Sequence, residues 1–221
     1  MTVTRSPRSY QISPGSNPAM LAKAAASPAD AICLDLEDAV APGEKEAARA
    51  HVVAALRDLD FGARLRLIRI NALDTPYAYR DLIEVVEAVG DQLDLVIVPK
   101  VERAADVAFV DTLLSQIELR QGFPPGRIGI EAQIETARGC VNADTIAAAT
   151  PRLRALIFGM GDYAASLGMP LDAIGAPDEN DRCYPGHRWH HVMSRIITAA
   201  RAYDLRAIDG PFAPFRDLEG L

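Results

Sequence analysis

Three features of the chain predict an α/β fold closed as a TIM (β/α)8 barrel that lacks its last βα unit. Apolar runs of strand length alternate with segments of helical period from end to end. Residues suited to chemistry follow the C-terminal ends of five or six different strands, where a barrel collects them; a doubly wound sheet would gather them at one crevice. The 221 residues allow a sizeable core and approach the ~250 of such barrels, yet only seven strands can be counted. No linker or short-period repeat interrupts the pattern, so residues 1–221 are expected to form a single domain.

The elements follow in order. A first strand, Ser9–Ser13, turns through Pro14-Gly15-Ser16 into a helix over Pro18–Ala26, with Asn17 as cap and proline in the first turn. The second strand, Ala31–Leu36, leads through an acidic loop to a helix over Glu44–Leu56. The third, Leu65–Ile70, precedes a helix over Tyr79–Val89 that Gly90 closes. The fourth, Leu95–Pro99, precedes a helix over Ala104–Gln121, and the fifth, Arg127–Ile134, a helix over Ala143–Ala149. The sixth, Ala155–Phe158, enters a Gly159-Met160-Gly161 turn. An irregular stretch from Gly168 to Arg188, rich in Pro, Gly and Asp, reads as an active-site loop. A helix over Trp189–Tyr203 and a seventh strand, Leu205–Asp209, complete the series.

Composition narrows the function classes. The hydrophobic fraction, 49%, is that of a globular protein. With 23 Lys and Arg against 30 Asp and Glu, net charge is −7 and no basic block occurs, so no nucleic-acid partner is expected. No run approaches the ~18 apolar residues of a membrane span and no apolar leader is seen, which makes cytoplasmic the expected location. Cys33, Cys140 and Cys183 are far apart and odd in number, as free thiols in a reducing compartment would be.

Glu135 follows the fifth strand and Asp162 the sixth. Carboxylates brought together repel unless a cation joins them, and Mg2+ takes such an oxygen site, keeping waters and using one or two protein carboxylates. Two solvated acids in ordinary loops are the alternative. Asp35, Glu37 and Asp38 end the second strand; they either cap and solvate the next helix or order a neighbouring arginine or metal-bound water. Arg69, flanked by aliphatic residues on the third strand, needs a carboxylate partner or an anionic ligand, because guanidinium stays protonated. Lys100, after Val98-Pro99, is expected to form salt bridges with these acids rather than a Schiff base. Pro14-Gly15-Ser16-Asn17-Pro18 is either a tight βα turn or a receptor of phosphate or carboxylate through its backbone N–H groups. His187, His190 and His191 beside Cys183 match a zinc pattern only loosely and read better as surface histidines at a helix start.

Taken together, Pro14-Gly15-Ser16, Leu34-Asp35-Leu36-Glu37-Asp38-Ala39-Val40, Arg69-Ile70-Asn71, Pro99-Lys100-Val101, Ile134-Glu135, Gly159-Met160-Gly161-Asp162-Tyr163 and Asp209-Gly210-Pro211-Phe212 carry a family likeness. The chain resembles the citrate lyase β-subunit-like group of the HpcH/HpaI aldolase superfamily, and within it the malyl-CoA and β-methylmalyl-CoA lyases. The resemblance implies a Mg2+-dependent TIM barrel, with Mn2+ as a substitute ion, that cleaves or forms a C–C bond between an acyl-CoA and a 2-oxo acid such as glyoxylate. It implies Glu135 and Asp162 as metal ligands and Arg69 at the substrate near the thioester. Glu135, Pro14 and Gly15 also belong to the implied substrate site, supported by Asp35, Glu37, Asp38 and Lys100. Relatives continue with an eighth strand and a lid that gives an acid/base aspartate to a neighbouring subunit. Nothing before Leu221 matches that segment, so a C-terminally truncated domain is expected.

Two other functions stay open at this point. One is a class II aldolase that uses pyruvate enolate without CoA; the other is a catalytically incomplete subunit that binds acyl-CoA or metal. A homo-oligomer, trimer or hexamer, is expected because an open seventh strand exposes an unpaired edge.

Overall fold

The computed structural model describes residues 7–171, 173–176, 179, 187–214 and 216–219. Its strands are β1 (Tyr10–Pro14), β2 (Ala31–Asp35), β3 (Leu65–Arg69), β4 (Leu95–Val98), β5 (Gly129–Ile134), β6 (Leu153–Phe158) and β7 (Arg206–Ile208). Its helices are α1 (Pro18–Ala25), α2 (Lys45–Asp58), α3 (Ala78–Val89), α4 (Ala104–Arg120), α5 (Ala137–Val141), α6 (Ala143–Ala147), α7 (Met160–Ser166) and α8 (His190–Ala202). None of the described helices is long and apolar enough to cross a membrane.

The chain divides into two compact units, residues 1–99 with 108–131 and residues 100–107 with 132–221. In the first, β1 to β4 lie side by side in chain order and all parallel. Their register aligns Pro14 with Asp35, Asp35 with Arg69 and Arg69 with Ile97. That alignment puts the expected acid and the expected arginine side by side at neighbouring strand ends. The start of β5 follows, with Gly129 N–H donating to the Asp94 carbonyl at 3.0 Å. Every residue of β2 is buried, as in a parallel sheet covered on both faces. Leu82, Val85, Val86 and Val89 form the buried stripe of α3 at helical spacing.

In the second unit the end of β5 is followed by β6 and β7, again in chain order; β6 and β7 are parallel, with Ala155 opposite Arg206. Phe158, Tyr163 and Trp189 pack edge to face, with ring centroids 5.7 to 6.2 Å apart. Parallel strands in chain order are the succession of a (β/α)8 barrel. A doubly wound sheet would reverse its order at a switch point.

Two local expectations are corrected. The helix predicted over Ala143–Ala149 is α6, which ends two residues earlier, and a short helix that was not predicted, α5, precedes it. α5 is capped by Thr136, whose Oγ1 accepts the Gly139 N–H at 3.0 Å, and it ends at Asn142. The turn predicted at Gly159-Met160-Gly161 is the start of α7, so Asp162 sits in the first turn of a helix. Part of the irregular stretch from Gly168 to Arg188 lies outside the described residues, and Cys183 with it.

Candidate active site

The first unit builds a buried cation at the end of β3. Arg69 Nε and Nη2 donate to Asp35 Oδ1 and Oδ2, each at 2.7 Å, and Nη1 lies 3.0 Å from Glu37 Oε2. Asp35 is fully buried and Arg69 is 9% exposed. Burial by itself would lower the Arg69 pKa. The hydrogen bonds to Asp35 and the charges of Asp35 and Glu37 outweigh it, and the value stands above that of an ordinary guanidinium. The carboxylate partner that Arg69 required is therefore supplied by the β2 loop. Asp35 takes two of its five N–H donors, and Glu37 adds an ionic contact at Nη1.

The β2 loop is itself held from several sides. Asp35 accepts the Glu37 and Ala39 N–H groups at 3.0 and 3.1 Å. Lys45 Nζ donates to the Leu36 and Glu37 carbonyls, both at 2.7 Å. Burial pushes the Lys45 ammonium below its usual pKa, opposed by Asp35, Asp81, Glu37 and Asp38. Gly15 N–H donates to the Asp35 carbonyl at 2.7 Å, and a Cβ at Gly15 would come as close to the same oxygen. Pro14-Gly15 thus has a structural use, since it lets the first βα turn approach the end of β2. Asp38 is exposed.

The second unit carries the carboxylates. Glu135, 1% exposed, accepts the Lys100 N–H at Oε1 (2.7 Å) and the Gln133 Nε2 at Oε2 (2.5 Å). Lys100 has the left-handed φ of 50°, which lets its backbone face Glu135. Its ammonium lies 3.3 Å from Asp162 Oδ2, with side chains 31% and 38% exposed. One residue therefore joins both candidate ligands, by main chain and by side chain.

Gly159 makes room for this arrangement. A Cβ there would lie 2.6 Å from Glu135 Cβ, 2.9 Å from Gln133 Nε2, and closer still to the Glu135 carboxylate. Gly159→Ala is expected to displace that carboxylate and to cost about 1–3 kcal/mol by overpacking, read as a lower midpoint of thermal unfolding.

The donor set fits a hard cation. Both donors are carboxylates, one buried in a cradle without room for a Cβ at Gly159, the other already facing an ammonium. Among the described residues no three His, Cys, Asp or Glu side chains gather as a full cage. A sparse oxygen pair suits Mg2+, which retains waters. His187, His190 and His191 are exposed, and the cysteine of the loose zinc pattern lies outside the described residues.

Three polar groups, two of them buried, escaped the sequence reading. Gln133 holds Glu135, Glu131 accepts the Tyr10 hydroxyl at 2.9 Å, and Asp81 gathers Asn71 and Arg49. The signal for two of them was present: Glu131, Gln133 and Glu135 recur at period two, alternating with Ile130, Ala132 and Ile134. Cys33 is an unlike case, because burial, with Asp35 and Glu131 nearby, raises its pKa and keeps the thiol protonated.

Residues 8–221 match the family model described as HpcH/HpaI aldolase/citrate lyase. An L-malyl-CoA/beta-methylmalyl-CoA lyase of Cereibacter sphaeroides is 44% identical over 213 residues, covering 94% of this chain and 67% of its own length. The citrate lyase subunit beta of Leuconostoc mesenteroides subsp. cremoris is 36% identical over 214 residues, covering 96% of this chain and 66% of its own. The structure of protein CitE from Mycobacterium tuberculosis in complex with magnesium and acetoacetate matches with a TM-score of 0.75 at 34% identity, over 100% of this chain and 80% of that one.

Proposed function

The chain belongs to the HpcH/HpaI aldolase/citrate lyase family, and from that premise we propose that it is a Mg2+-dependent carbon–carbon lyase acting on a malyl-CoA-like 3-hydroxyacyl-CoA thioester. The products are an acyl-CoA and a 2-oxo acid such as glyoxylate. The observation that carries this reading is the pair Glu135 and Asp162, joined by Lys100 after the ends of β4, β5 and β6.

In this reading Glu135 and Asp162 hold the ion, and Gln133 and the Lys100 N–H keep the Glu135 carboxylate in one orientation. A divalent cation held there supplies Lewis-acid polarisation of the substrate oxygen that becomes the carbonyl of the 2-oxo acid. As the hydroxyl proton is lost to solvent, cleavage leaves the electron pair of the broken C–C bond on the acyl-CoA half as an enolate, which then takes up a proton from solvent; until then its charge needs a preorganised partner. Arg69 is assigned that task. Its orientation is fixed before substrate arrives, because Asp35 grips its Nε–Nη2 edge and Glu37 lies at Nη1.

A substrate panel tests the proposal. With Mg2+ present, malyl-CoA and β-methylmalyl-CoA are expected to be cleaved, with the 2-oxo acid trapped as its hydrazone. Free 4-hydroxy-2-oxo acids are expected to be inert. Cleavage of the free acids alone would replace this reading with a CoA-independent aldolase.

A further inference from the structure

Lys100 holds an unusual position, and neither its conformation nor its contacts follow from a generic surface salt bridge. It is one of the few described non-glycine residues with positive φ, a conformation that is costly for an L-residue and persists where the surroundings impose it. In that conformation its N–H meets Glu135 at 2.7 Å while its ammonium reaches Asp162 at 3.3 Å. Glu135 is buried, whereas the ammonium and the Asp162 carboxylate are each about one third exposed. The ionic contact is thus more open to solvent than the backbone contact.

We propose that Lys100 is an exchangeable internal counter-cation of the metal site: its ammonium occupies Asp162 in the metal-free protein and yields that carboxylate when a divalent ion binds. This deepens the functional reading above and rests on its assignment of Glu135 and Asp162 as ligands. Two carboxylates that share one ion repel each other in its absence, and a single positive charge offsets part of that repulsion until the ion arrives. The same charge then opposes the incoming ion. Lys100 therefore weakens metal affinity while stabilising the empty site, acting on the ion through Asp162 as a positioning residue.

The test is a titration of Mn2+ at constant pH, followed by the electron paramagnetic resonance signal of the free ion, in the wild type, Lys100→Met and Lys100→Arg. A partly exposed ion pair corresponds to a change of about two- to fivefold in an equilibrium constant. Lys100→Met is expected to tighten the Mn2+ dissociation constant by that factor and to lower the unfolding midpoint of the metal-free protein. Addition of Mn2+ should recover more of that midpoint than it does in the wild type. Lys100→Arg, which keeps the charge, is expected to restore the wild-type affinity. Unchanged or weaker Mn2+ binding in Lys100→Met overturns the proposal, because a purely structural role lowers the midpoint without tightening the ion. A wild type that binds no Mn2+, or binds it equally well as Asp162→Asn, sinks the ligand assignment itself, so the two failures are distinguishable.

Discussion

Glu135→Gln and Asp162→Asn are each expected to reduce thioester cleavage by more than about 100-fold, because changing even the residues that merely orient metal ligands costs 10- to 100-fold. The two variants should differ in stability. Glu135 is buried and accepts hydrogen bonds on both oxygens, from Lys100 N–H and from Gln133 Nε2. An amide in its place offers one acceptor and one donor, so a donor would face a donor. A buried mismatch of that kind costs about 1–3 kcal/mol. The Asp162 side chain is 38% exposed, and Asp162→Asn should leave the unfolding midpoint nearly unchanged. Steady-state kinetics with a parallel thermal melt would read both effects. Full activity in Asp162→Asn would remove that residue from the proposed metal site.

Arg69→Lys is expected to lower kcat by about 100- to 1,000-fold, the range seen when one preorganised donor to a developing oxyanion is lost. KM should change far less, since the proposed contact strengthens as the enolate forms. An ammonium cannot reproduce the two parallel bonds to Asp35 together with the Glu37 contact. Asp35 is fully buried and would lose part of its compensation, so the variant should also be less stable. Breaking a buried pair outright costs about 3–5 kcal/mol, and the retained charge keeps the loss below that. A variant that loses stability but keeps its kcat would make Arg69 a structural residue only.

Much of the fold was legible from periodicity. The seven strands appear within two residues of where the apolar runs place them, and those buried throughout, β2 and β4, read as near-continuous aliphatic segments. Asn17-Pro18 marks the start of α1 in the sequence and caps it in the structure, with Asn17 Oδ1 accepting the Met20 N–H at 3.1 Å. The short helices were harder. Gly139 interrupts α5 in the sequence, yet it is required there by the close approach of the Val101 carbonyl. Gly159 and Gly161 similarly disguised the start of α7, where the first glycine serves Glu135 rather than a turn.

The candidate site was legible residue by residue but not in its pairings. An arginine among aliphatic residues announces its need for a partner; that the partner is Asp35 follows from strand register, which the sequence does not state. Lys100 could be expected to meet an acid. Its left-handed backbone carries no local signal, because no propensity favours lysine there. Gln133 carries no charge that would mark it in the sequence, although its amide, two positions before Glu135, donates to the Glu135 carboxylate.

Anomalous scattering from crystals soaked in Mn2+ tests the metal assignment most directly. The expected map has one strong peak bonded to carboxylate oxygens of Glu135 and Asp162, with the Lys100 ammonium withdrawn from Asp162. A peak bound elsewhere, with these two carboxylates uninvolved, would contradict it.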